Sequence, residues 1–143
     1  MNQIDNIIGT HLYISDYQGA SNKDKLMKNK IKHIFNFSSF KLPEYRGIVY
    51  HNFPIYDSPD QNILRYFRTV IHEIDNSEGN ILINCQAGIS RSASMIIAYL
   101  MSKGFTLSQS YGWVKASRDI INPNPGFMNQ LQVYESVLAS GYN

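Results

Sequence analysis

Among 143 residues there is one cysteine, Cys85, and the residues on either side of it suit a particular chemistry. It follows the apolar run Ile81-Leu82-Ile83 and Asn84, and it precedes Gln86-Ala87-Gly88-Ile89-Ser90-Arg91-Ser92. The apolar run has the composition of a strand covered on both faces, and the residues after Arg91 that of a buried helix. In a strand–loop–helix unit the loop amides and the helix N-terminus converge on one point and attract an anion. Gly88 lets the backbone bend toward a ligand without a Cβ in the way. Arg91 brings a planar fork of donors suited to two phosphate oxygens. The amides of Gln86, Ala87, Gly88, Ile89, Ser90 and Arg91 are therefore the expected phosphate-binding groups. Cys85 lies at the base of the loop, where the same dipoles favour a thiolate, so it reads as a nucleophile beneath a bound phosphoryl group. A lone cysteine at a strand end is otherwise a small buried hydrophobe, and the full string is what argues against that.

Transfer of a phosphoryl group to sulfur expels an oxygen that needs a proton, so a carboxylic acid must face the loop. The stretch Tyr56-Asp57-Ser58-Pro59-Asp60-Gln61 offers two. Ser58 to Gln61 has the form of a capping box, with Ser58 as N-cap and Pro59 at the first helical position. Asp60 would then lie in a first helical turn, where a negative charge suits the dipole. Asp57 precedes the cap and has no helical duty. It is the candidate general acid, against the plainer reading of a turn residue.

The elements that must position these groups are legible in outline. Ile7-Ile8 and Leu12-Tyr13-Ile14 flank Gly9-Thr10 like a short hairpin. Residues 23–30 read as a Lys-rich helix with a solvated face, and residues 31–37 and 48–53 as strands. The helix after Gln61 carries Leu64, Phe67, Ile71 and Ile74 on one face. Residues 92–102 contain no charge and imply a helix buried nearly all round. Thr106-Leu107-Ser108-Gln109 is a second capping box, opening a helix to about Arg118. Asn124-Pro125 starts a last helix with Phe127, Leu131, Tyr134 and Leu138 in register. The expected fold is α/β, a single domain over residues 1–143 with a mostly parallel sheet of about five strands and helices on both faces.

Composition narrows the setting. Hydrophobic residues make up 43% and charged residues 17%, as in a globular domain able to bury its own core. A net charge of +2 is too mild to indicate nucleic acid. A single cysteine allows no internal disulfide. The longest apolar run, residues 95–101, is too short to span a bilayer, and Met1-Asn2-Gln3-Ile4-Asp5 carries no signal or acylation pattern. These features lead us to expect a cytoplasmic protein with access to the nucleus left open. His11, His33, His51 and His72 lack ligand spacing, so no metal or other cofactor is expected.

The string Asn84-Cys85-Gln86-Ala87-Gly88-Ile89-Ser90-Arg91-Ser92-Ala93 resembles the signature of the dual-specificity protein phosphatases, small cysteine-based members of the protein tyrosine phosphatase superfamily. The resemblance extends to residues 12–20, to Ile31-Lys32-His33-Ile34-Phe35-Asn36 and to residues 121–131. One departure is plain, because the family usually has His where this chain has Asn84. The resemblance implies hydrolysis of phosphotyrosine and phosphoserine or phosphothreonine through a phosphocysteine intermediate. It assigns Cys85 as nucleophile, Arg91 as phosphate ligand and Asp57 as acid and then base. Ser92 would donate its hydroxyl to the departing sulfur, although a helix N-terminal Ser needs no such role. Asn124 resembles a position that supports the loop, and Asn84 is expected to brace the loop backbone with its amide. The implied partner is a phosphoprotein, protein kinases among them, with a phosphate-like oxyanion in the loop and neither nucleic acid nor membrane. Three other readings compete: a phosphate-binding module without turnover, a relative acting on phosphoinositide or RNA 5′-phosphate, and, least fitting, a cysteine protease. The uncharged side chains of residues 86–89 argue against highly charged non-protein substrates.

Overall fold

The computed structural model describes residues 3–141, so the reading of Met1 and Asn2 lies outside the described residues. Strands β1 (Asp5–Asn6), β2 (Leu12–Ser15), β3 (Ile31–Asn36), β4 (Val49–Asn52) and β5 (Asn80–Asn84) form one sheet in the order β1-β2-β5-β3-β4. The β1–β2 pair is antiparallel and every other pair is parallel. The parallel strands therefore end at one edge, where an α/β sheet commonly carries its site.

Alternation along β5 explains the layers. Ile81 and Ile83 face a core shared with the four long helices, while Leu82 faces a smaller cluster with Ala20, Leu26, Ile31, Ile34 and Leu42. That second face is covered by the short helices α1 (Tyr17–Ser21) and α2 (Lys23–Lys28). The long helices are α3 (Leu64–Asp75), α4 (Arg91–Ser102), α5 (Leu107–Ser117) and α6 (Pro125–Ala139). Every residue of α4 from Arg91 to Met101 is buried, which accounts for its lack of charge beyond Arg91. Among the described residues no helix is long and apolar enough to cross a membrane.

Two local expectations change. The N-terminal hairpin forms, but its first strand is Asp5–Asn6 rather than Ile7-Ile8, and Ile7 turns inward to full burial. The Ser58 capping box does not form. Ser58 Oγ accepts from the Asp60 amide at 3.3 Å and the Gln61 side chain accepts from Tyr56 N at 3.0 Å, closing a turn instead of opening a helix. Helix α3 begins six residues later, at Leu64. Its orphan amides at Ile63 and Leu64 are satisfied by Gln130 Oε1 of α6, at 2.8 and 2.9 Å. Asp60 therefore has no place in a helical first turn. The capping box at Thr106–Gln109 does form, and Asn124 caps α6 by accepting from Phe127 N.

Candidate active site

Strand β5 ends at Asn84 and α4 begins at Arg91, so residues 85–90 make the loop between them. Five successive carbonyls of this segment accept hydrogen bonds from its outer side. Tyr17 N donates to Gln86 O at 3.2 Å, and Arg118 donates from Nη2 to Ala87 O at 3.2 Å and from Nε to Gly88 O at 2.8 Å. Asn122 N donates to Ile89 O at 2.8 Å, and the Ser94 hydroxyl to Ser90 O at 2.7 Å. With the carbonyls held outward, the amides of residues 86–90 are left with no acceptor among the described residues. Unpaired amides curled around one point form an anion cradle.

Gly88 is required at its place. Its φ is +68°, and a Cβ there would fall 2.7 Å from the Ser15 backbone and 2.8 Å from Arg118 Nη2. Arg118 was not anticipated as part of the site. Sequence reading placed it only at a helix end, yet it is 7% exposed and also pairs with Asp5 through Nη1 at 2.8 Å.

Cys85 is 2% exposed, and its Sγ lies 3.1 Å from Ser92 Oγ. Arg91 is also buried. Its Nη1 donates to Ile55 O at 2.8 Å and to Phe37 O at 3.2 Å, while Nε has no protein partner. The guanidinium is thus anchored by one nitrogen, and its buried Nε is left as an unpaired donor that an anion in the loop would satisfy.

Asp57 is exposed two residues after Ile55, whose carbonyl holds Arg91. Its Oδ1 accepts from Asn124 Nδ2 at 2.9 Å. Asn124 also caps α6, its Oδ1 accepting from Phe127 N, and its backbone N–H donates to Ser90 Oγ at 2.9 Å. The segment carrying Asp57 can lie this close to α6 because residue 126 is glycine; a Cβ there would run into the Pro59 backbone. Asp57, Asn124 and the loop are therefore one connected unit. Asn84 departs from expectation. It is fully buried, its Nδ2 donates to Asn36 Oδ1 at 3.1 Å rather than to the loop, and its Oδ1 is unpartnered.

No group of three His, Cys, Asp or Glu side chains able to hold a metal occurs among the described residues. His33 and His51 do meet, with Nδ1 and Nε2 3.1 Å apart, on the β3–β4 side of the sheet. Burial lowers the pKa of both, and Glu73 opposes the shift at His51. The arrangement as a whole can hold a tetrahedral oxyanion over a thiol, with a hydroxyl beside the sulfur and a tethered carboxyl nearby.

Comparison with known proteins agrees with this geometry. The model of the dual specificity phosphatase catalytic domain matches residues 12–137. Human dual specificity protein phosphatase 22 is 37% identical over 133 residues, covering 87% of this chain and 70% of that protein. Mouse protein phosphatase Slingshot homolog 1 is 36% identical over 137 residues, 92% of this chain but only 13% of the longer protein. The chain thus spans about an eighth of that relative's length. The crystal structure of human DUSP28 superposes with a TM-score of 0.89 at 27% identity, covering 95% of each chain. By the family match and by the identity to its relatives, this chain belongs to the dual specificity phosphatase catalytic-domain family.

Proposed function

We propose that the chain is a protein phosphatase that hydrolyses phosphotyrosine and phosphoserine or phosphothreonine. The observation that carries this reading is the outward tethering of the five loop carbonyls above Cys85, which leaves a cradle of amides for a phosphoryl group. Cys85, as thiolate, attacks phosphorus in line. The S–P bond forms, the P–O bond to the protein breaks, and Asp57 gives its proton to the leaving oxygen. Loop amides and Arg91 hold the equatorial oxygens, whose charge they stabilise through the transition state. Water then attacks the phosphocysteine, Asp57 takes its proton, and the thiolate departs with the Ser92 hydroxyl donating to sulfur. Inorganic phosphate is released.

The substrate is a phosphoprotein, with protein kinases as one class. The uncharged side chains of Gln86, Ala87 and Ile89 favour a single phosphate on a protein over a polyanionic lipid or RNA end. A free nucleophilic thiol suits a reducing compartment, and we assign the activity to the cytoplasm.

Turnover of phosphotyrosine and phosphothreonine peptides by wild type and Cys85→Ser tests the reading. Wild type should release phosphate, and Cys85→Ser should release none while still binding phosphate. Binding without release by wild type would make the chain a phosphate-binding module. Substantial release by Cys85→Ser would remove Cys85 as nucleophile.

A further inference from the structure

We propose that Asn36, which the chemistry above does not use, is a positioning residue that sets Arg91 and the base of the loop; the proposal rests on the reading of that loop as a phosphoryl site. Asn36 ends β3 directly opposite Asn84 of β5 and is 2% exposed. Its Oδ1 accepts from Ser38 N at 3.0 Å, from Ser38 Oγ at 2.7 Å and from Asn84 Nδ2 at 3.1 Å. Its Nδ2 donates to Phe40 O at 2.9 Å and to Asn52 Oδ1 at 3.2 Å. The side chain joins the ends of β3, β4 and β5 to the segment that follows β3.

The bond from Ser38 N makes an Asx turn, in which the side-chain oxygen curls the backbone around the intervening residue. That residue is Phe37. Its amide donates to Asn84 O at 2.8 Å, and its carbonyl accepts from Arg91 Nη1 at 3.2 Å. Asn36 therefore aims one of the two carbonyls that fix the guanidinium. With both in place the planar group cannot swing, and its Nε edge stays directed away from protein acceptors. With Ile55 O alone, the guanidinium keeps a single anchor and can rotate about it.

Asn36 also fixes the amide before the nucleophile. Because its Oδ1 is an acceptor facing Asn84, only the Nδ2 end of Asn84 can meet it. A flipped Asn84 would set oxygen against oxygen. The chain thus solves, with a pair of amides, the orientation of the residue that precedes Cys85.

The test compares wild type, Asn36→Ala, Ser38→Ala and Asn52→Ala. For each, the competitive inhibition constant of inorganic phosphate and the KM for 4-nitrophenyl phosphate are measured beside the thermal midpoint. Loss of stability alone lowers the folded fraction but does not change either constant for the molecules that remain folded. Asn36→Ala should raise both constants about tenfold, the scale of one oriented hydrogen bond to a charged group. Ser38→Ala, which keeps Asn36 but removes its shortest bond, should raise them about threefold. Asn52→Ala breaks the same hub on the sheet side and should leave both within about twofold while lowering the midpoint. If Asn36→Ala and Ser38→Ala lower the midpoint and leave both constants at the wild-type values, Asn36 is only a structural residue and the proposal fails. If Asn36→Ala does not fold, the contrast of Ser38→Ala with Asn52→Ala decides, and equal constants overturn it. Should wild type bind phosphate without turning over, the hydrolytic reading fails, and calorimetric phosphate affinities of the same variants still decide the role of Asn36.

Discussion

Asn124 Nδ2 donates to Asp57 Oδ1 at 2.9 Å, joining residues 67 positions apart. The oxygen that accepts this N–H is the poorer place for a proton, so on the proposed mechanism the proton for the leaving group is assigned to Oδ2. The same side chain caps α6, and the backbone N–H of Asn124 donates to Ser90 Oγ, which fixes the carboxyl relative to the loop.

Asn124→Ala should therefore lower kcat about tenfold for phenyl phosphate and much less for 4-nitrophenyl phosphate, whose leaving group needs little protonation. Loss of the cap should also cost about 1 kcal/mol of stability. Asn124→Ser retains a capping oxygen but cannot reach Asp57. It should restore the thermal midpoint and not the rate; recovery of both would show that the tether has no catalytic consequence.

Ser92→Ala removes the one hydroxyl that, among the described residues, lies within hydrogen-bond distance of Sγ. Formation of the phosphocysteine should be little changed and its hydrolysis slowed about tenfold or more, since only sulfur's departure loses a donor. Rapid-mixing measurements should then show a burst of leaving group followed by a slow steady state. A single slow phase would place the role of Ser92 elsewhere.

Arg118→Met should weaken phosphate binding, because Ala87 O and Gly88 O lose their donors and the amides lose their fixed direction. It also strands Asp5, and together these losses should lower stability by about 1–3 kcal/mol in urea unfolding. Gly88→Ala should impair phosphate binding as well, through collision with Ser15 instead of lost hydrogen bonds. A normal inhibition constant for phosphate in both variants would contradict the cradle.

The His33–His51 pair makes stability depend on pH. Burial lowers both pKa values below the ordinary 6.5, so between that value and the folded-state values the unfolded chain binds more protons. Their contribution is complete above pH 6.5 and is lost as pH falls through the folded-state pKa values. The urea midpoint of wild type should drop between pH 7.5 and about 5.5. His51→Phe keeps a ring on Phe35, which His51 stacks upon at 4.1 Å, and should flatten that drop. An unchanged slope would mean that other groups set it.

The loop was readable from sequence because its determinants are contiguous: an apolar strand, Cys85, Gly88 and Arg91 lie within eleven residues. The caps at Thr106 and Asn124 were readable for the same reason. Ser58 misled because a capping box states only what a helix start could use, and here Gln130 of α6 supplied the acceptor from another part of the fold. Arg118 and Asn36 had no local signature at all. Each acts through partners brought together by the sheet order and by helix packing, and single-sequence periodicity carries no record of such meetings. Asn84 was noticed as a departure, yet its partner could be found only once β3 and β5 were seen side by side.

Arg118 ties Ala87 and Gly88 to Asp5, a residue 113 positions before it. During vectorial synthesis the first strand, Cys85 and Arg91 all leave the ribosome before the residue that turns the loop carbonyls outward. A nascent chain halted short of Arg118 would own Cys85 and Arg91, the proposed nucleophile and phosphate ligand, and still lack the donors that turn Ala87 O and Gly88 O outward. Contacts of such long sequence separation close late in folding. The proposed activity thus requires synthesis to have passed Arg118, and its recovery on refolding should coincide with global folding rather than precede it.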